Sequence, residues 1–203
     1  MRTRTDKKRQ EILAAAASVF EEVGYQRASM AAISARLGGS KATLYGYFNS
    51  KETLFAAVMT GALEEQGQRV ADSLDDESGD VEDVLRTFGE RYLALISSPE
   101  VLAVMRTAMI DGVETDLGAE LYRLGPYRGL STLAAYLEKQ IRKGVLRTGD
   151  PEVVAYHLRG LLEAGVLEPI LFGLKPAISI PAAVDGAIDA FFRAYGPAGS
   201  PAR

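Results

Sequence analysis

The sequence predicts an all-α protein: an N-terminal three-helix unit with a helix-turn-helix pattern, then a larger C-terminal helical bundle, about nine helices in total. Three observations carry this. Apolar residues recur three and four apart along most of the 203 residues, which places them on one face of a 3.6-residue turn. No segment alternates apolar and polar residues long enough to make a strand. The breaks have helix-terminus chemistry: Ser98-Pro99-Glu100 and Asp150-Pro151-Glu152 each read cap, proline, first-turn acid, and glycines stand where helices should stop.

The elements follow in order. Residues 7–23 carry Ile12, Ala16, Val19, Phe20 and Val23 on one face, and Gly24 should end that helix. A short helix follows over 29–37, capped by Ser29, with Met30, Ile33 and Leu37 facing inward. Gly38-Gly39 break it. Ser40 caps a third helix from Lys41 to about Tyr47, with Leu44 inward. Ser50 caps a longer fourth helix whose apolar face is Leu54, Phe55, Val58, Met59 and Ala62. The polar run 75–80 (DDESGD) reads as a loop. Helices are then expected from Val81 to Ile96, from Pro99 onward, over 116–124, from Pro126 to Gly144, over 150–172 with Pro169 ending or kinking it, and from Pro181 to Gly196. The division expected is 1–52, 53–196 and a disordered tail over 197–203.

Composition bounds the function. The chain contains no cysteine, so disulfides, thiolate metal sites and cysteine nucleophiles are excluded. The start, MRTRTDKKRQ, leads into no apolar run, and no stretch of about 18 apolar residues exists. The expectation is a cytoplasmic protein with no membrane partner. Charge is uneven: of 23 basic and 27 acidic residues, nine and four lie in 1–51, so that segment is +5 and the remainder −9. A basic segment on an acidic body points to a polyanion, nucleic acid first; a solvated basic tail is the plainer alternative. With one histidine and none of the GxSxG, HExxH or phosphate-cradling glycine patterns, no catalytic residue, metal site or cofactor is assigned.

Two short helices around a tight glycine turn are the sequence form of a helix-turn-helix, whose second helix can enter the major groove. Lys41 can reach a guanine edge or a phosphate. Ala42 lets the backbone approach a base. Thr43 and the hydroxyls of Tyr45 and Tyr47 can bond phosphates, and Lys51 opens a helix whose N-terminus also favours one. Packing between helices is the competing role for the aromatics. Leu44 and Phe48 are assigned to packing, and Tyr45, Tyr47 and Lys51 to DNA. The run GYQRASMAAISARLGGSKATLYGYFNSKETLF, Gly24 to Phe55, resembles the DNA-binding domain of TetR/AcrR-family transcriptional regulators. The matching marks are Gly24-Tyr25, Ile33 with Leu37, Ser40-Lys41, Thr43-Leu44-Tyr45, Tyr47-Phe48 and Ser50-Lys51-Glu52. The rest of the chain is similar to an AefR-like C-terminal domain in its helical pattern and length. Three positions depart from the family pattern: Gly39 replaces a small aliphatic, Gly46 replaces a longer side chain that touches the DNA backbone, and Ala28 replaces a threonine. The last makes Ser29 the expected phosphate contact. Arg27 or the arm residues Arg2 and Arg4 are the expected compensation for Gly46.

The resemblance implies a ligand-responsive repressor that binds a palindromic double-stranded operator as a homodimer and is released by a small-molecule effector. Phe88, Tyr92, Met105, Met109 and Tyr122 are the expected effector-site residues, methionine suiting a permissive pocket, although such a stripe also fits a plain core. Val154, His157, Leu158, Leu161, Leu162 and Phe191, on the last long helices, are expected to face the partner subunit, with packing inside one subunit the alternative. Two other readings stay open: a helical interaction protein that does not bind DNA, and an activator or regulator without a small-molecule effector.

Overall fold

The structure, a computed structural model, describes residues 4–75, 79–112 and 115–197. These residues contain eleven α-helical segments, a 3-10 turn over Asp72–Leu74, and no strand. The helices are α1 (Arg4–Arg27), α2 (Met30–Leu37), α3 (Lys41–Tyr47), α4 (Lys51–Ala71), α5 (Val81–Ile96), α6 (Pro99–Asp111), α7 (Leu117–Leu124), α8 (Pro126–Arg142), α9 (Pro151–Glu163), α10 (Leu167–Leu171) and α11 (Ile180–Tyr195). The chain separates into two compact units, Met1–Leu63 with Thr107–Gly125 and Glu64–Arg106 with Pro126–Arg203. α4 contributes to both, as does α6. No single helix among the described residues is long and apolar enough to cross a membrane.

In the first unit α1 packs on α2 and α2 on α3. Ile12, Ala16, Val19 and Phe20 of α1 are buried, as are Ile33, Leu44, Leu54 and Phe55 of the following helices. The Phe55 ring lies 4.8 Å from both Phe20 and Tyr25, a tilted aromatic cluster of the favoured kind. Gly24 breaks α1 with φ 75° and ψ 166°, and Tyr25 to Arg27 add one more turn beyond it. The fourth helix buries a different stripe from the one expected. Leu54 and Phe55 are joined by Ala56 and Ala57, while Val58 and Met59 are half-buried and Ala62 is exposed.

The second unit is a bundle in which α9 packs on α8 and α11, and α11 on α5. Its fully buried centre includes Leu85, Leu93, Leu133, Leu137, Leu158, Leu162, Ile188 and Phe191. Gly89 lets α5 approach closely, because a Cβ there would stand 2.8 Å from Leu162 Cδ2. The break in the helix expected over 150–172 falls at Gly165 (φ 71°), not at Pro169. Pro169 sits in the first turn of α10, where a missing N–H costs nothing. That split turns the ten helices enumerated from the sequence into the eleven seen among the described residues. The loop over 75–80 is described only in part, and the tail beyond Pro197 lies outside the described residues.

Candidate nucleic-acid interface

Three serine-headed helix starts shape the N-terminal surface. Ser29 Oγ accepts from the Ala32 amide at 3.2 Å, Ser40 Oγ from Thr43 at 3.1 Å and Ser50 Oγ from Thr53 at 3.2 Å. Each satisfies an amide that the helix leaves without a partner. Between α2 and α3 the chain turns at Gly38, left-handed at φ 66°, whose amide returns to the Ala35 carbonyl. The buried Ser34 holds the turn from within by donating to the Gly39 carbonyl at 3.1 Å.

This turn fixes which face of α3 is open. Leu44 is 0% and Phe48 6% exposed, so they anchor the helix. Lys41, Ala42, Gly46 and Tyr45 (48% exposed) face outward. Thr43 is half-buried, and its hydroxyl lies 3.0 Å from Ser40 Oγ. Tyr47 is half-buried and lines a shallow groove with Thr5, Lys7, Lys8 and Glu11 of α1. Ser29 and Ser40 are exposed, with one hydroxyl lone pair already used in capping.

Lys51 has a role that its position in the sequence did not reveal. Its ammonium donates to the Tyr25 carbonyl at 3.0 Å and stands 4.2 Å from the centroid of the Tyr25 ring, a cation–π contact. The Tyr25 hydroxyl donates to Glu52 at 2.9 Å. Burial pushes the Glu52 carboxyl up, but bonds from its own amide, Ser50 and Tyr25, and the Lys51 charge, together hold it below its ordinary value. These contacts fasten the end of α1 to the start of α4. Arg36 fastens α2 to α1 with both guanidinium nitrogens on Glu22, at 2.8 and 2.6 Å, and a bond to Ser18 at 2.6 Å. That bonding holds Glu22 below its usual range. The outward face of α3 is therefore mounted on a braced unit. Of the compensators expected for Gly46, Arg27 spends its Nε on the Val23 carbonyl at 3.0 Å. Arg2 and the Arg4 side chain lie outside what the structure describes.

The other expected site residues are distributed over both units. Phe88 and Tyr92 stack with centroids 5.7 Å apart and planes 7° from parallel. The Tyr92 hydroxyl donates to Glu163, and burial, with that carboxylate, pushes the phenol up. Met105 is half-buried in the same unit. Met109 and Tyr122 belong to the other unit and are exposed. Val154, Leu158, Leu162 and Phe191 fill the subunit's own core, being at most 1% exposed. Burial of that degree leaves them no surface for a partner. Leu161 is half-buried, and His157 is exposed, its Nδ1 against the Tyr195 hydroxyl. Among the described residues no cluster of His, Asp or Glu could hold a metal ion.

Comparison with known proteins agrees with this geometry. Residues 12–58 match the model of bacterial regulatory proteins of the tetR family, and residues 83–197 that of the AefR-like transcriptional repressor C-terminal domain. The chain is 24% identical over 151 residues to YhgD, an HTH-type transcriptional regulator of Bacillus subtilis strain 168, covering 71% of this chain and 75% of that one. Among solved structures, it is similar to a TetR-family regulator from Mesorhizobium loti MAFF303099 (TM-score 0.73, 28% identity, 96% of this chain and 100% of that one). It is equally similar to the flavonoid-responsive regulator FrrA (TM-score 0.74, 29% identity, 95% and 99%).

Proposed function

The chain belongs to the TetR family of bacterial regulatory proteins, and from that premise we propose that its first 52 residues read a palindromic operator while residues 53–196 dimerise and bind a small effector. Regulators of this family are typically ligand-responsive repressors. They bind DNA as dimers. One observation supports the DNA reading above the rest. The Gly38 turn presents Lys41, Ala42 and Tyr45 outward while Leu44 and Phe48 hold α3 from behind. A helix so held can enter the major groove and offer its first turns to base edges. Thr43, Tyr47, Ser29 and Ser40 are assigned to the flanking backbone. Beyond its bond to the Tyr25 carbonyl and its contact with the Tyr25 ring, the Lys51 ammonium keeps a donor that we assign to a phosphate. Lys41→Ala and Tyr45→Ala should each abolish binding of a duplex selected by the protein from a random library, with helicity and oligomeric state unchanged. Wild-type affinity in both variants would remove α3 from the groove.

The effector site is proposed around Phe88, Tyr92 and Met105, with a flat aromatic molecule as its occupant. The Phe88 ring is buried in the core and stacks on the half-buried Tyr92 ring, so an aromatic occupant would have to enter beside Tyr92 and extend that stack, and FrrA, 29% identical, is by its name responsive to flavonoids. Occupancy would shift the dimer population to one whose recognition helices no longer match the operator spacing, with α4, shared by both units, as the link. A panel of flavonoids tested by thermal shift should raise the melting temperature of the wild type and not that of Tyr92→Ala. Equal shifts in both proteins would move the site elsewhere. A cytoplasmic location accords with this role.

A further inference from the structure

The groove beside α3 carries an inference that rests on the DNA reading above. We propose that Lys7 joins Tyr47, assigned above to the DNA backbone, in a phosphate subsite flanking the recognition helix, beside the bare position 46. The ligand is a phosphodiester oxygen of operator DNA.

Gly46 defines the gap. It is exposed on α3, and a Cβ built there would meet no atom within 4 Å. The outward face of α3 therefore has a bare position one residue before Tyr47. The groove that Tyr47 lines holds Thr5, Lys7, Lys8 and Glu11, two cations against one anion. Lys8 is spent within the protein, with its ammonium 3.0 Å from the Glu11 carboxylate. That bond, then the Lys8 charge and last the Lys7 charge hold Glu11 below its usual range. Lys7 is exposed and makes no ion pair with any described residue, so it carries the net positive charge of the groove. The walls are held together at their base. The Arg9 guanidinium lies 5.5 Å from the ring centroid of Phe48, the buried residue that caps α3 by donating to the Leu44 carbonyl at 3.0 Å. Arg9 thus pins the first turns of α1 to the end of the recognition helix. A phosphate there would meet the Lys7 ammonium, which has no ion-pair partner within contact distance among the described residues, beside Tyr47, the kinds of side chain that contact DNA backbones without reading sequence.

The test measures binding of the full-length protein to its library-selected duplex over a range of salt. Lys7→Ala should weaken binding about tenfold near 0.15 M salt, equally on duplexes with altered bases, and flatten the log–log salt slope by about one per subunit. Adding Gly46→Lys should restore the slope, because position 46 is open to a long side chain. Glu11→Gln frees Lys8 and should steepen the slope. Lys175→Ala, the same charge change in the other unit, should leave it unaltered. Wild-type slope in Lys7→Ala, an equal flattening in Lys175→Ala, or a loss that depends on base identity would each overturn the subsite. If Lys41→Ala also binds normally, the fault lies in the DNA reading itself; a Lys41→Ala that fails beside a normal Lys7→Ala sinks the subsite alone.

Discussion

Gly46 lies in the last turn of α3, with helical backbone, where glycine has a cost. A helical glycine surrenders more conformational freedom on folding than alanine does. Its φ is not in the left-handed region and an added Cβ meets nothing, so no local requirement keeps glycine there. Gly46→Ala should raise stability by about 0.5–1 kcal/mol, read as a higher urea midpoint at unchanged m-value. A fall in the midpoint would mean that position 46 carries a backbone constraint absent from the geometry. Single residues of the interface were legible to different degrees, for physical reasons. Lys41, Ala42 and Tyr45 could be assigned outward because Leu44 and Phe48, at helical spacing around them, claimed the interior. The partner of Lys51 was not legible. Its ammonium meets Tyr25, 26 residues earlier, and a cation over an aromatic ring leaves no periodic trace. Lys7 was hidden for a similar reason: only the docking of α1 beside Tyr47 separates it from its neighbours in a basic tail.

Helix existence was legible throughout, because a 3.6-residue apolar stripe survives any arrangement of neighbours, and the cap–proline–acid starts at 98–100 and 150–152 have local chemistry. The end of α9 was not legible. Glycine in a periodic run is tolerated in many helices, while proline usually ends one, so the sequence favoured Pro169 as the break. Gly165 takes that role through residues 12 and 13 positions later: a Cβ on it would stand 3.2 Å from Ile178 Cγ1, and the Ala177 amide donates to its carbonyl at 2.8 Å. Its φ of 71° is a conformation that costs an L-residue about 1–2 kcal/mol. Gly165→Ala should therefore lower stability by at least that amount, while Pro169→Ala should change it by less than about 1 kcal/mol, since proline in a first turn is neither needed nor obstructed. Chemical denaturation of the two variants ranks them directly, and the reverse ranking would return the break to Pro169.

For the whole molecule, periodicity cannot distinguish a subunit's own core from the surface it shares with a copy of itself. That is why Val154, Leu158, Leu162 and Phe191 could be read from sequence as partner-facing while they fill the interior. The exposed face of the same helices has a different character. On α9 it carries Val153, Tyr156, His157 and Gly160, and on α11 Ala182, Gly186 and Arg193, all exposed. The helical spacing of 153, 156, 157 and 160 puts them on one stripe, and small residues let helices pack at short distance. A two-fold bundle built on this face would make each subunit's surface complementary to itself. Gly160 separates the two possibilities cleanly. A Cβ there meets no atom of its own subunit within 4 Å, so Gly160→Glu leaves the fold intact and gains helix propensity. In a dimer it would drive a charge into a close helix–helix contact, where burial without a partner is costly. Sedimentation of Gly160→Glu at micromolar concentration should show a monomer with wild-type helicity, and its affinity for a two-half-site duplex should fall while a single half-site binds as before. Leu158→Ala, by contrast, should lose about 2–5 kcal/mol of stability from within the subunit. A Gly160→Glu protein that sediments as the wild type does would place the dimer contact on another face.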